Sequence, residues 1–372
     1  MPMPLTELPL TLDLETKQIL KSTLVANRYL AELKGVSETI PDQNILINTL
    51  ALQEAKDSSE IENIITTYDE MYKAELYVDH IRSSAAKEVQ DYAQALIRGF
   101  SLVQKDTLLT CNHIITIQQM LEGNNAGFRK LPGTDLKNTA TGETIYTPPQ
   151  DSQLIIKLMT NLELYINDDT LSDVDPLIKM SVIHHQFESI HPFYDGNGRT
   201  GRIINILYLV LKGLLNIPIL YLSRYFIETK SEYYRLLQLV RDTNNWEEWI
   251  LYTLKGIEIT SRQTILIIQA IKELMQKYRQ EISINFKFYS QDLLNSLFCN
   301  PYTKIEYIMR DLSVQRITAK KYLDALTDNG YLERHKIWRS YYYINRPLLD
   351  LLSMPQKYEK IPDGEVSSGA KN

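Results

Sequence analysis

His191-Pro192-Phe193-Tyr194-Asp195-Gly196-Asn197-Gly198-Arg199-Thr200-Gly201-Arg202 gathers an imidazole, a carboxylate, glycines and two arginines in twelve residues. Upstream, Leu177, Met180, Ile183 and Phe187 recur at helical spacing, which predicts a helix over Pro176 to Ile190. Asp175 suits its N-cap and Pro176 its first position. Downstream, a second helix is predicted over Ile203 to Lys212. The stretch is then a tight loop whose end opens that second helix. Gly196 and Gly198 permit positive φ and a close approach of main chain to a ligand. The loop's free amides and the following helix N-terminus favour anions, phosphate above all. Arg199 and Arg202 lie three apart, so they share a helix face and offer their forks to phosphate oxygens. Asp195 could hold Mg²⁺, which commonly takes one or two carboxylates plus substrate phosphates. His191 is the natural proton acceptor near neutral pH. The residues alone point to nucleotide phosphates, a divalent ion and a general base. The blander reading is a Gly/Asn-rich turn between core helices, with its arginines in solvent.

With every fixed position filled, the stretch resembles the signature of the Fic family, His-Pro-Phe-x-(Asp/Glu)-Gly-Asn-Gly-Arg-x-x-Arg. The resemblance implies a mainly α-helical Fic (fido) core with a β-hairpin flap. It implies transfer of AMP from ATP to a Tyr, Ser or Thr hydroxyl of a target protein, with release of pyrophosphate. His191 would take the hydroxyl proton before in-line attack on the α-phosphate. Asp195 would hold Mg²⁺ (or Mn²⁺) on the phosphates. The backbone of Gly196, Asn197 and Gly198 would form the anion hole. Arg199 would bind the outer phosphates and Arg202 the γ-phosphate, with Thr200 and Gly201 between them in the ATP-binding stretch. Phe193 is expected to anchor the loop in the core. The wider fold family also moves UMP, phosphocholine or phosphate, and the complete motif argues for AMP.

The chain has 372 residues, room for two or three domains. With 44% hydrophobic and 23% charged residues and a net charge of −6, it is not built as a whole to coat nucleic acid or membrane. Cys111 and Cys299 lie far apart, which gives no disulfide framework and fits a reducing cytoplasm. Met1 to Leu12 lacks a basic n-region and an apolar h-region, so no signal peptide is expected. The apolar run from Ile203 to Leu222 is broken by Asn205, Lys212, Asn216 and Pro218, and reads as a buried helix and loop rather than a membrane span.

The expected layout is an N-terminal helical region (1–90), a catalytic core (91–256) with a flap at 136–149, a connecting helix (257–284), a C-terminal module (285–352) and a disordered tail (353–372). Leu14 to Leu33 reads as an amphipathic helix, and Asn44 to about Tyr68 as one or two more. Within the latter, Ser58-Ser59-Glu60-Ile61-Glu62-Asn63 would alone be a solvated helix face. Beside the loop, Ser58, Glu62 and Asn63 are similar to the Fic inhibitory motif, (Ser/Thr)-x-x-x-Glu-(Gly/Asn). That resemblance implies a bidentate Glu62–Arg202 pair that borders the ATP site and blocks seating of the γ-phosphate. It also leaves room for self-modification and for Glu62-assisted removal of AMP.

Further helices are expected over Ala85 to Leu102, Asp106 to Leu121 and 151–168. Thr144, Ile145, Tyr146 and Thr147 favour a strand of a short hairpin. The resemblance makes it the flap that aligns a target by strand addition and borders the nucleotide. His184 and His185 lack a His-Glu-x-x-His pattern or nearby cysteines, so ordinary helix histidines are expected rather than a zinc site. Tyr221 to Tyr225 reads as a loop and Lys230 to Arg241 as a helix. Tyr233 and Tyr234 are core aromatics or, by resemblance, contacts to the adenosine. The asparagine that some members carry eight residues later is Arg241 here. A long helix is expected over Ile257 to Ile282. Helix, helix, turn, helix and hairpin over 290–345 resemble a winged helix–turn–helix, with seven basic against three acidic residues in 313–346. Arg316, Lys320 and Lys321 could enter a major groove, while such modules often serve protein binding or dimerisation instead. A homodimer is expected from the family, and no membrane partner.

Overall fold

Thr16 starts the first helix. Its hydroxyl accepts the Ile19 amide at 3.3 Å, so α1 spans Lys17–Ser37 and not the stretch from Leu14 that apolar spacing suggested. The computed structural model describes residues 5–76, 83–137, 141–337 and 340–353. α2 (Asn44–Ile61) and α3 (Tyr68–Leu76) come next, then α4 (Ser84–Asp106) and α5 (Cys111–Glu122). Ser83 and Thr110 cap the last two, and left-handed Thr107 and Gly123 end them. The hairpin pairs β1 (Leu136–Lys137) antiparallel to β2 (Thr144–Tyr146), with Leu136 opposite Tyr146. Thr147 falls outside the strand, its hydroxyl donating to Asp135 Oδ1 at 2.7 Å. Residues 138–140 of the expected flap lie outside the described residues.

After α6 (Ser152–Asn167) comes the helix that carries the site, α7 (Pro176–Ile190). Asp175 caps it at 2.8 Å and Pro176 opens it. It is buried from Leu177 to Ile190, so it forms the centre of the core rather than a surface stripe. α8 (Asn197–Leu211) begins six residues before the expected start at Ile203. The reason is local. Gly196 takes φ 77° as its N-cap, and the Asn197 amide side chain bridges the Phe193 N–H and carbonyl, both at 2.8 Å. The second half of the signature is therefore the first turn of a helix.

The expected loop at Tyr221 to Tyr225 is largely helix, α9 (Leu222–Glu228), and α10 (Lys230–Thr243) follows it. α11 (Glu247–Asn285) is one continuous 39-residue helix, about 58 Å long at 1.5 Å per residue, that passes straight through the expected boundary at 256/257. Gly256 is not a break in it. A Cβ there would meet Tyr225 at 2.7 Å and Leu222 at 3.1 Å, so the glycine lets α9 pack on α11.

The C-terminal unit runs α12 (Gln291–Cys299), β3 (Tyr302–Thr303), α13 (Ile305–Leu312), α14 (Arg316–Asp328), β4 (Glu333–Ile337), β5 (Ser340–Ile344) and α15 (Arg346–Ser353). Its antiparallel sheet has the order β3-β5-β4. β3 adds a third strand that sequence reading missed, since two residues carry no alternation to detect. The unit packs on the N-terminal region. Gln53 Nε2 donates to the Leu352 carbonyl at 2.8 Å, and Tyr302 donates to Asp69 at 2.7 Å while stacking on Tyr72 at 5.5 Å. The expected disordered tail beyond Ser353 lies outside the described residues. No helix among the described residues is long and apolar enough to cross a membrane.

Candidate active site

α7 ends at His191, which takes a left-handed conformation (φ 49°, ψ 59°) while its amide still donates to Phe187 O at 3.0 Å. That turn ends the helix and swings the chain out of its axis. Phe193 is fully buried, 5.3 Å from Phe128 and 6.4 Å from Phe187 by ring centroids, and pins the loop to the core. Asp195 stays exposed, with Oδ1 accepting the Gly196 amide at 2.7 Å. Burial, helped by the charges of Arg241 and Arg129, lowers the His191 pKa to about 4 against the pull of Glu62. The ring is therefore neutral, with a lone pair available, throughout the physiological range.

Each glycine of the loop leaves room for a carboxylate. A Cβ at Gly196 would lie 2.5 Å from Glu122 Oε1, and one at Gly201 would lie 2.5 Å from Glu188 Oε1. A Cβ at Gly198 would collide with Glu62 Oε1. Those carboxylates gather around the two arginines. Arg202 is buried and donates from Nε to Ser58 Oγ (2.7 Å) and from Nη2 to Ser58 O (2.9 Å) and Glu62 Oε1 (2.8 Å). Glu62 thus holds Arg202 by a single contact rather than the expected bidentate pair, and Ser58 supplies the other two acceptors. Burial works against the Arg202 charge, but Glu62 above all outweighs it, so the guanidinium is held firmly protonated. Asn63 is left-handed (φ 63°) and accepts from Lys230 Nζ at 3.0 Å, which turns the chain away just past Glu62. Arg199 is also buried and spoken for, donating to Glu88 at 3.1 Å and Glu122 at 2.7 Å. A phosphate reaching Arg199 must compete with both, which sequence spacing could not disclose because the partners come from α4 and α5.

The expected tyrosine pair divides. Tyr233 is 1% exposed, and its hydroxyl lies 2.9 Å from His184 Nε2, so it packs in the core. Tyr234 is 45% exposed and feels the charges of Glu62 and Arg202. On the flap, Thr144, Ile145 and Thr147 are exposed, whereas Tyr146 turns inward and donates to Ser189 O at 2.9 Å.

Three family models match the chain: Fic/DOC family N-terminal over residues 20–101, Fic/DOC family over 108–209, and the C-terminal domain of SoFic-like protein adenylyltransferase over 272–348. The chain belongs to the Fic family. Among curated relatives, protein adenylyltransferase fic-1 of Caenorhabditis elegans is 26% identical over 117 residues, 32% of this chain and 22% of that one. Protein adenylyltransferase Fic of Drosophila virilis is 28% identical over 142 residues, 38% and 27% of the two chains. The match thus spans about a quarter of the length of these relatives. A Fic family protein from Desulfovibrio desulfuricans superposes with a TM-score of 0.57 at 18% identity, covering 91% of this chain and 98% of that one. Fic-1 of C. elegans gives 0.51 at 18% identity, over 66% and 73%. Both share the fold.

Sequence reading of this Fic chain missed Arg129. It is 1% exposed and lies under the loop, its Nε donating to His191 O at 2.7 Å and Nη2 to Pro149 O at 2.9 Å. Its partners are backbone carbonyls, which no spacing or charge pattern can announce. Arg241 is a second omission. It donates to Ser189 Oγ (3.0 Å) and Glu188 O (3.2 Å) and lies 4.1 Å over the Tyr146 ring.

His184 and His185 are buried in α7, their Nε2 atoms meeting the Tyr233 hydroxyl and the Leu237 carbonyl. Among the described residues, no group of three ligating side chains gathers for a metal. Burial lowers both histidines to about 3 and pushes Glu54 and Glu188 up to about 7. Below pH 6.5 the unfolded chain protonates these histidines and His191 before the folded one does, so their contribution falls as pH falls. Between about pH 4.5 and 7 the folded chain instead protonates the two glutamates first, and their contribution rises as pH falls. The two sets oppose each other above about pH 4.5, and only the histidine loss continues below it. Unfolding free energies from denaturant titration are thus expected to change little from pH 7 to 5 and to drop steeply below 4.5, by about 1.4 kcal/mol per pH unit for each histidine until its folded pKa is reached. A free energy that stays flat down to pH 3.5 would contradict these protonation states.

Proposed function

We propose that this Fic protein is a protein adenylyltransferase held in check by its own α2. The reading is carried by one conjunction: a neutral, half-buried His191 beside an amide-lined turn and an Arg202 whose fork is already occupied. The relatives named protein adenylyltransferase support the reaction class. His191 takes the proton of a target Tyr, Ser or Thr hydroxyl. The freed oxygen attacks the α-phosphorus of ATP in line, the bond to the β-phosphate bridging oxygen breaks, and pyrophosphate leaves. The amides of Gly196, Asn197 and Gly198 and the α8 N-terminus stabilise the charge that builds on the phosphates. Arg202 binds the γ-phosphate once Glu62 yields it, and Arg199 receives the outer phosphates once Glu122 or Glu88 yields. Exposed Thr144, Ile145 and Thr147 offer the flap edge to the target strand, and Tyr234 flanks the nucleotide.

Asp195 fits Mg²⁺ (or Mn²⁺) in the mode that uses one carboxylate plus substrate phosphates, because it is exposed and commits only Oδ1 to the backbone. A metal bound there would offset phosphate charge. Asp195→Ala is expected to cut Mg²⁺-dependent transfer by roughly 10²-fold and to flatten its dependence on metal concentration. An unchanged metal titration would remove Asp195 from this role. The reaction itself is tested by labelling with ATP carrying ³²P at either the α or the γ position. Label on protein from the α position alone supports adenylyl transfer, and label from the γ position alone would make the chain a kinase instead.

We divide the chain into an inhibitory N-terminal region, a core and a C-terminal winged helix, with α11 running through the join. Cys111 and Cys299 are not joined in a disulfide, which suits a reducing cytoplasm. DNA binding through the basic α14 is the second reading. Against it, Arg316 is paired with Glu306 and Lys320 with Asp324, while Ile317 stands 84% exposed beside them. Those features favour a protein surface, including a second copy in a homodimer. Filter binding of a random duplex across a salt series separates the two, since DNA binding carries a salt slope.

A further inference from the structure

The last carbonyls of a helix have no partner within it. At the end of α7 they are taken by donors from three other segments. Glu188 O accepts from Arg241 Nη2 (3.2 Å), Ser189 O from the Tyr146 hydroxyl (2.9 Å), and Ile190 O from Arg129 Nη2 (3.4 Å). His191 O accepts from Arg129 Nε at 2.7 Å. The same Arg129 Nη2 reaches Pro149 O at the far end of the flap (2.9 Å), and the Arg129 amide donates to Pro192 O at 2.7 Å. One buried residue therefore grips the peptides on both sides of the base and the exit of the flap.

We infer that Arg129 is a positioning residue that locks His191 and the flap into one rigid unit, so that a hydroxyl on a target strand docked along the flap arrives in register with the base. A left-handed histidine costs of order 1 kcal/mol and persists only where its surroundings over-determine it. The planar Arg fork meets two carbonyls from separate segments at fixed spacing, which a lysine ammonium cannot do. Among the described residues, no other side chain is hydrogen-bonded to both the base's own peptide and the flap. Its charge, with that of Arg241, also faces the imidazole, opposed by the charge of Glu62 just past α2 and by a hydrogen bond to the Glu188 backbone of α7.

The transfer arm of the test rests on the adenylyltransferase reading, and the other arms do not. In the full chain carrying Glu62→Gly, Arg129→Gln and Arg129→Lys are compared with their parent. Both are expected to lose α-label transfer by about 100-fold, the usual consequence of misplacing a reacting group by about 1 Å. ATP affinity by calorimetry should stay within about threefold. NMR titration of ¹³C-labelled histidine should show the His191 pKa raised in Arg129→Gln, where a positive charge is lost, and little changed in Arg129→Lys. Tryptic cleavage after Lys137 on the flap should quicken in both. Lysine restoring full transfer would overturn the proposal, because charge alone would then suffice. Transfer and flap cleavage unchanged in both variants would overturn it too. Loss of folding or of ATP binding in both would make Arg129 a plain structural residue. If the Glu62→Gly parent itself transfers no label, the adenylyltransferase reading fails, while the titration and cleavage arms still decide the role of Arg129.

Discussion

His191→Asn in a Glu62→Gly background is expected to abolish transfer of α-label to protein, a loss of about 10²–10⁴-fold, with ATP affinity nearly unchanged. Asparagine is the informative replacement. It tolerates the left-handed backbone of residue 191 better than alanine does, so the peptide held by Arg129 stays in place while the base disappears. In the proposed reaction nucleotide binding draws on the turn amides and the arginines, none of which depends on the imidazole. The wild-type ring is lowered to about 4, so it is unprotonated over the whole working range. Transfer should therefore persist down to about pH 5 and fall only as the ring protonates. An acid limb near pH 6.5 would indicate a solvated histidine, and full activity of the asparagine variant would remove the base assignment altogether.

Glu62→Gly alone should act in the opposite direction. The carboxylate gives Arg202 one 2.8 Å contact, while the guanidinium is almost fully buried and Glu62 is about one-third exposed. A charge-assisted hydrogen bond contributes about 1.5–3 kcal/mol, and solvent at Glu62 trims that figure. ATP affinity and transfer are therefore expected to rise about 10- to 100-fold. Ser58→Ala should give a smaller rise, since Ser58 also holds Arg202 through its backbone carbonyl, which the substitution keeps. Calorimetry with ATP and Mg²⁺ measures both. If affinity in Glu62→Gly matches wild type, the contact is structural and the chain is not self-inhibited at this position.

The parts of this architecture that sequence made readable are those coded locally. α7 was bounded correctly because an aspartate cap, a first-turn proline and apolar spacing all agree on Asp175 and Pro176. α8 was begun late because its cap is a backbone conformation at Gly196 and not a side chain that accepts an amide. α11 runs through the expected boundary at 256/257, because Gly256 answers to Tyr225 across the interface rather than ending its own helix. The site followed the same rule. The loop could be read from twelve consecutive residues. The carboxylates on Arg199 come from 111 and 77 residues away, and the carbonyls on Arg129 from 62 and 20. Tyr233 and Tyr234 are adjacent in sequence yet face the core and the solvent respectively, because neighbours on a helix point about 100° apart.

α2 has two tenants. Ser58 faces Arg202, while Gln53, one and a half turns earlier, is bonded to the C-terminal unit through Leu352. A substitution that loosens this helix to admit nucleotide also loosens the seat of the C-terminal unit, and one that tightens that seat raises the barrier to nucleotide. Evolution cannot adjust the two independently through residues 53–61. Lineages of this protein should therefore tune inhibition at the Glu62 end, where the chain leaves the helix and the carboxylate meets Arg202.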